Sequence, residues 1–341
     1  MPLHPFNRLE GELCSFTIES SALVGNLLGD PTERAVTVYL PPDYHQSDAN
    51  YPLMVDVVGF TGSGFSHLAW KAFQENVPQR IERLMREEKM GPVVAAFPDC
   101  FTSLGGNQYI NSLAMGSWAD FLTLEMLPEI EARFRIRAGR EHRAIFGKSS
   151  GGYGAVVHAM TRADCWGAAA VHSGDMGFDR LFLGEFPKTV NVVNKYGGYA
   201  GFLEHVESSN RVDDDGMAAL MVLAMGATYD PDPGGPKGIR LPVDLHTCEL
   251  LPERWEQWLA HDPVRMLEVE ACQQNLRRLS GLYIDCGSRD QFHIHFGCRQ
   301  FVRQLQHLDV AHEYQEFDDT HSGIDYRMDE SLPYLYRAIA G

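Results

Sequence analysis

The feature that most constrains this chain is Gly147-Lys148-Ser149-Ser150-Gly151-Gly152, set between an apolar run (143–146) and an Ala-rich helical stretch. A G-x-S-x-G at a strand-to-helix junction puts its serine on a sharp turn that lifts the hydroxyl above a sheet. The flanking glycines are demanded by the tight approach of neighbouring backbone. Gly147-Lys148-Ser149 also resembles the end of a phosphate-binding loop, G-x-x-x-x-G-K-[ST]. That pattern needs glycine at 142, which is His142, and a flexible loop where Ala144-Ile145-Phe146 reads as strand. Nucleotide binding at this motif is therefore excluded.

The rest of the chain repeats the same rhythm. Apolar runs at Leu53–Val58, Val93–Phe97, Ala168–His172, Leu282–Cys286 and Ala311–Phe317 read as strands. Helical spacing separates them over Phe73–Glu88, Trp118–Phe134 and Phe296–Leu308. Such alternation predicts the α/β class, with a mostly parallel sheet flanked by helices on both faces. Leu13–Glu19 and Ala35–Leu40 alternate apolar with polar residues and predict an antiparallel edge hairpin. Between about 186 and 270 the rhythm breaks. Helical stretches at Met217–Met225 and Pro252–Leu259 flank the loop Asp230-Pro231-Asp232-Pro233-Gly234-Gly235-Pro236. This segment is read as a mainly helical, cap-like insertion within one domain spanning 1–341, placed above the strand ends.

With 46 acidic and 29 basic residues the formal charge is −17, which argues against a nucleic-acid partner. No apolar stretch is long enough to span a bilayer. The N-terminus lacks a basic segment followed by an apolar run, so no signal peptide is expected. Seven scattered cysteines without a CxxC fit reduced thiols, and the expectation is a cytoplasmic protein.

A serine hydroxyl is a weak nucleophile and needs an adjacent base. In the strand–serine–helix arrangement the order along the chain is Ser, acid, His. Ser149 is the candidate nucleophile. Asp290, which follows a strand and a glycine turn, is the candidate acid. Asp285 competes, but inside an apolar run a structural part suits it better. His321, in the loop after the last strand, is the candidate base, with Asp319 kept as an alternative partner. The N–H groups of Phe60 and Ser150 are the candidate oxyanion donors. Trp70, Phe101, Tyr109, Trp118 and Lys148 are candidate substrate contacts. Core packing explains the four aromatics about as well; for Lys148, solvation or an acidic partner is favoured over binding an anionic group of the substrate. His293, His295 and Cys298 do not make a metal site: on the expected helix the two histidines lie about 200° apart.

These residues resemble the esterase D-like family of α/β-hydrolases, which includes S-formylglutathione hydrolases, enterochelin-esterase-like proteins, feruloyl-esterase domains and secreted mycolyltransferases. The resemblance rests on Val57-Val58-Gly59-Phe60, Trp118-Ala119-Asp120-Phe121 through Ile130, Gly147–Ala155, Cys286–Phe292 and His321. It implies the α/β-hydrolase fold and hydrolysis of carboxylic or thiol esters without a cofactor. It places the family's nucleophile, acid and base on Ser149, Asp290 and His321, and its oxyanion donors on Phe60 and Ser150. The chain departs from the pattern at Asp318-Asp319-Thr320, where glycine is usual, and in the length of the 186–270 segment. An acyltransferase with the same three residues and a catalytically silent binding module are the rival readings. The partner expected is a small ester, short or aromatic and neutral. Self-association stays open.

Overall fold

The computed structural model describes residues 8–341. The reading of the extreme N-terminus lies partly outside these residues. Among the described residues there are ten strands: β1 Glu12–Glu19, β2 Glu33–Leu40, β3 Leu53–Val57, β4 Val94–Pro98, β5 Asn111–Ser112, β6 Gly116–Ser117, β7 Arg143–Lys148, β8 Ala168–His172, β9 Gly281–Gly287 and β10 Glu313–Phe317. β5 and β6 form a small separate ladder. The other eight form one sheet in the order β1-β2-β4-β3-β7-β8-β9-β10. β1 pairs antiparallel with β2, and β2 with β4. All remaining neighbours in the sheet are parallel.

The inner strands are buried on both faces, as continuous apolar runs in a covered parallel sheet require. Side chains alternate between two cores. Leu53, Val55, Val57, Ile145, Val171 and Ile284 face one side, with Val156, Leu122 and Phe301 of helices packed among them. Met54, Ala144, Phe146, Ala170 and Tyr283 face the other, against Ile81 and Leu84 of helix Val77–Arg86 and Leu332 and Leu335 of helix Met328–Ile339. Each fully buried side chain of this size stabilises the fold by about 1.5–3 kcal/mol.

Several boundaries differ from the sequence reading. The helix expected over Phe73–Glu88 starts later, at Val77, because Asn76 caps it. The Asn76 side chain accepts from Gln79 N–H while the Gln79 side chain accepts from Asn76 N–H, both at 3.0 Å. Truncating this cap to alanine costs about 1 kcal/mol. The helical run from Trp118 is continuous to Arg133, but its middle, Phe121–Met126, is wound as a π-helix.

The segment between β8 and β9 is helical. It includes Phe186–Lys195, Tyr199–Ser208, Asp214–Tyr229 and Pro252–Leu259. Tyr229, Phe182 and Trp258 pack as a ring cluster with centroids 5.4 Å apart for Phe182–Trp258 and Tyr229–Trp258. These residues are continuous with the core under the sheet. Among the described residues no helix is long and apolar enough to cross a membrane.

From β3 the chain steps outward to β4, then returns across β3 to β7. Strand order reverses there, and a crevice opens at the carboxyl ends of β3 and β7.

Candidate active site

Ser149 leaves β7 with φ 57° and ψ −124°, a conformation that costs a non-glycine residue about 1–3 kcal/mol. The turn is held by Ser149 N–H donating to His172 O (3.0 Å) and Tyr153 N–H donating to Ser149 O (2.8 Å). A Cβ on either Gly147 or Gly151 would press into the Val57 carbonyl oxygen, well inside van der Waals contact. Those two glycines therefore let β7 and the helix Ser150–Thr161 close on the end of β3. Ser150 is the first residue of that helix, so its N–H is one of the amides an α-helix leaves without an internal partner. Phe60 lies in the loop after β3, where its carbonyl accepts from Gly106 N–H at 2.5 Å.

The acid and the imidazole sit on loops after adjacent parallel strands, β9 and β10. Asp290 is almost completely buried. Its Oδ1 accepts from Phe292 N–H (2.9 Å) and its Oδ2 lies 2.7 Å from His321 Nδ1. The loops are stitched together. Arg289 N–H donates to Asp319 O (3.0 Å), Arg289 Nε to Asp318 Oδ1 (2.8 Å), and His321 N–H to Gln291 Oε1 (3.0 Å). Phe292 meets the His321 ring edge-on at 4.9 Å. With Nδ1 engaged by Asp290, Nε2 is the ring nitrogen left for chemistry. Ser149 and His321 line one cavity of about 550 Å³, together with Phe60.

The competing acids are engaged elsewhere. Asp285 is wholly buried and takes His172 Nδ1 (2.8 Å), Arg327 Nε (2.9 Å) and Tyr283 OH (3.1 Å). The Asp319 side chain accepts from Thr320 N–H (2.8 Å) and Tyr326 OH (3.1 Å).

The aromatic contacts need correction. Tyr109 is buried and donates its hydroxyl to Val58 O (2.6 Å). Trp118 is buried with Nε1 donating to Met115 O (2.9 Å) and Arg34 over its ring. Both belong to the core cluster, held there by those bonds to backbone oxygens. Phe101 and Trp70 are exposed, and neither is among the residues lining the cavity. Lys148 does line it. His293 also departs from expectation: it stands before the helix Ile294–His307, as its N-cap in a left-handed conformation (φ 63°).

Sequence reasoning missed the cavity's other walls. Met217, Ala218 and Met221 reach it from helix Asp214–Tyr229, His67 from the short helix Gly64–Leu68, Lys71 from the chain just after that helix, and Asp325 from the single turn Asp325–Arg327 after β10. The helical spacing of Met217 and Met221 was visible, but which face meets the cavity depends on tertiary packing. Asp213 caps that helix, accepting from Gly216 N–H at 2.8 Å, and Asp214 and Asp215 complement its dipole. Burial lowers the proton affinity of Lys148, with Asp325 opposing and Lys71 reinforcing the change. For His67 burial works downward, but the Asp56 carboxylate, 2.5 Å from Nδ1, outweighs it and raises the pKa.

The sheet order, the elbow after β7 and the loop positions of Asp290 and His321 define an α/β-hydrolase. Residues 30–329 match the family model of the Esterase family ("Putative esterase"), and the chain belongs to that family. A ferulic acid esterase superposes with TM-score 0.62 at 19% identity, covering 97% of this chain and 100% of that one. An S-formylglutathione hydrolase from Agrobacterium tumefaciens superposes with TM-score 0.59 at 16% identity, covering 98% and 97%. In sequence the chain is similar to Esterase Rv1288 of Mycobacterium tuberculosis, 29% identical over 154 residues. That match takes in 43% of this chain and only 30% of the relative's length.

Proposed function

We propose that this chain hydrolyses carboxylic or thiol esters through an acyl-enzyme on Ser149. The carrying observation is the Asp290–His321 pair, bonded at 2.7 Å, opening onto the cavity that the strained Ser149 turn also lines. In this reading Ser149 Oγ attacks the ester carbonyl carbon while its proton passes to His321 Nε2. Asp290 holds the ring in the required tautomer and stabilises the imidazolium. The oxyanion accepts from the N–H groups of Phe60 and Ser150, each donor of this kind lowering the barrier by about 2.7–4 kcal/mol. The imidazolium then gives its proton to the departing alkoxide or thiolate. Water repeats the cycle, releasing the acid and restoring Ser149. No cofactor enters this chemistry.

The segment at about 186–270 acts as a cap in the same reading, because its helix Asp214–Tyr229 supplies the apolar wall of Met217, Ala218 and Met221. That wall suits the acyl chain of a compact ester.

A fluorophosphonate probe should modify Ser149, located by peptide mass analysis. Ser149→Ala should lose both the label and turnover of 4-nitrophenyl acetate. Undiminished turnover by Ser149→Ala would remove the proposal.

A further inference from the structure

We infer that the site favours esters carrying an anionic group, a carboxylate or a phosphate, and that Lys148 receives that group. The inference rests on the esterase reading above and adds a substrate class to it.

The whole chain is strongly acidic, yet one wall of the cavity is cationic. His67, Lys71 and Lys148 line it. Two of the three have carboxylate partners. His67 Nδ1 is 2.5 Å from Asp56 Oδ2, and Lys71 Nζ is 2.9 Å from Asp325 Oδ2. Lys148 is different. Among the described residues no acidic side chain stands within 4.0 Å of its ammonium. It is half-buried beside the nucleophile, where solvent only partly replaces a partner. Asp325 and Asp290 attract Lys148 through space, but each is bonded to another group, Lys71 and His321. Asp214, the remaining acid in the lining, is exposed on the first turn of the helix Asp214–Tyr229.

A partly desolvated, unpaired ammonium is stabilised by any anion that reaches it. Inside a cleft with low-dielectric walls the attraction is stronger than in bulk water. Met217, Ala218 and Met221 give the cavity an apolar wall as well. In this inference the substrate's apolar part lies against that helix and its anionic part against Lys148 at the end of β7. The competing role for Lys148 is that of a charge stabilising the oxyanion. That role would act on every ester equally, which separates it from recognition.

Two ester pairs test the inference. 4-Nitrophenyl hemisuccinate against 4-nitrophenyl pentanoate places the anion on the acyl side. 4-Acetoxybenzoate against 4-acetoxybenzamide places it on the alcohol side. The wild-type protein should prefer the anionic member of at least one pair by about 10–100-fold in kcat/KM, the range of one charge-assisted contact, mainly through KM. Salt at 0.5 M should shrink the preference. Lys148→Met should reduce the ratio at least tenfold, Lys148→Arg should retain most of it, and Lys148→Glu should invert it. Equal or neutral-favoured turnover in both pairs by the wild-type protein overturns the inference. So does a Lys148→Met variant that slows both members of the preferred pair alike. Fluorophosphonate labelling of Ser149 keeps the two readings apart. If labelling succeeds and no ester of the set is hydrolysed, the inference is judged by labelling rate: 4-hydroxybenzoate should slow labelling more than 4-hydroxybenzamide does, and equal slowing overturns it. If Ser149 is neither labelled nor needed for any turnover, the esterase reading itself fails.

Discussion

His321 Nδ1 and Asp290 Oδ2 meet at 2.7 Å although the two residues are 31 positions apart in the chain. The meeting follows from β9 and β10 being parallel neighbours, which brings the loops at their carboxyl ends together. The Arg289–Asp318 ion pair is largely exposed and contributes little by itself. The backbone bonds beside it fix the register of the two loops.

Asp290→Asn should lower kcat on 4-nitrophenyl acetate by about 10⁴-fold. The asparagine oxygen can still accept from Phe292 N–H, but an amide facing Nδ1 favours the wrong imidazole tautomer. Steady-state kinetics, with a melting temperature close to the parent's, checks this.

Asp285→Asn should do the reverse. It leaves Arg327 without its buried carboxylate and weakens the bond to His172. Losing one member of such a buried pair costs about 3–5 kcal/mol. Urea unfolding should show that loss, while the folded fraction keeps a kcat within a few-fold of the parent.

Gly151→Ala should destabilise the protein by more than about 3 kcal/mol, since the new methyl meets the backbone of Val57 and Val58 and no flexible side chain can give way. Thermal melts of the purified variant, or its failure to accumulate as folded protein, check this.

Two buried groups should give opposite pH trends in stability. His158 accepts from Trp166 Nε1 (3.1 Å) and bonds Tyr109 O (2.8 Å), and burial pushes its pKa down to about 4. The unfolded chain protonates first, so stability present above about pH 6.5 is lost as pH falls toward 4. Asp175 is buried beside Gln108, and burial pushes its pKa up to about 6. There the unfolded chain ionises first, so stability present below the ordinary carboxylate range is lost as pH rises through 6. Each effect has a ceiling of about 3 kcal/mol. Asp175→Asn should therefore melt higher than the parent at pH 8, and the gain should shrink as pH falls below 6.

Much of this is legible in the sequence, for physical reasons. Parallel strands buried on both faces are continuous apolar runs, so β3, β4, β7, β8 and β9 stood out. The elbow announced itself because only glycine fits at 147 and 151. The loop aromatics were not legible in the same way. Tyr109 and Trp118 have the composition of pocket-lining residues, yet hydrogen bonds to Val58 O and Met115 O anchor them in the core. Such bonds to distant or irregular backbone leave no periodic trace. The cationic wall was hidden for a related reason. Net charge sums the whole surface, whereas His67, Lys71 and Lys148 converge only once β3 and β7 lie side by side. Met217 and Met221 carried helical spacing, but spacing alone does not say whether a face meets a core or a cavity.

The helix Asp214–Tyr229 meets the cavity near its start, at Met217, Ala218 and Met221, and the ring cluster around Trp258 at its last residue, Tyr229, while Ser149, Asp290 and His321 stand in the turns after strand ends. On the proposed reading the reacting groups and the apolar wall are thereby mounted on separate supports. Exchanging the methionines for bulkier or smaller side chains reshapes what is accepted without disturbing how it is cleaved, so a lineage can diversify its diet by editing one helix and leave the sheet untouched.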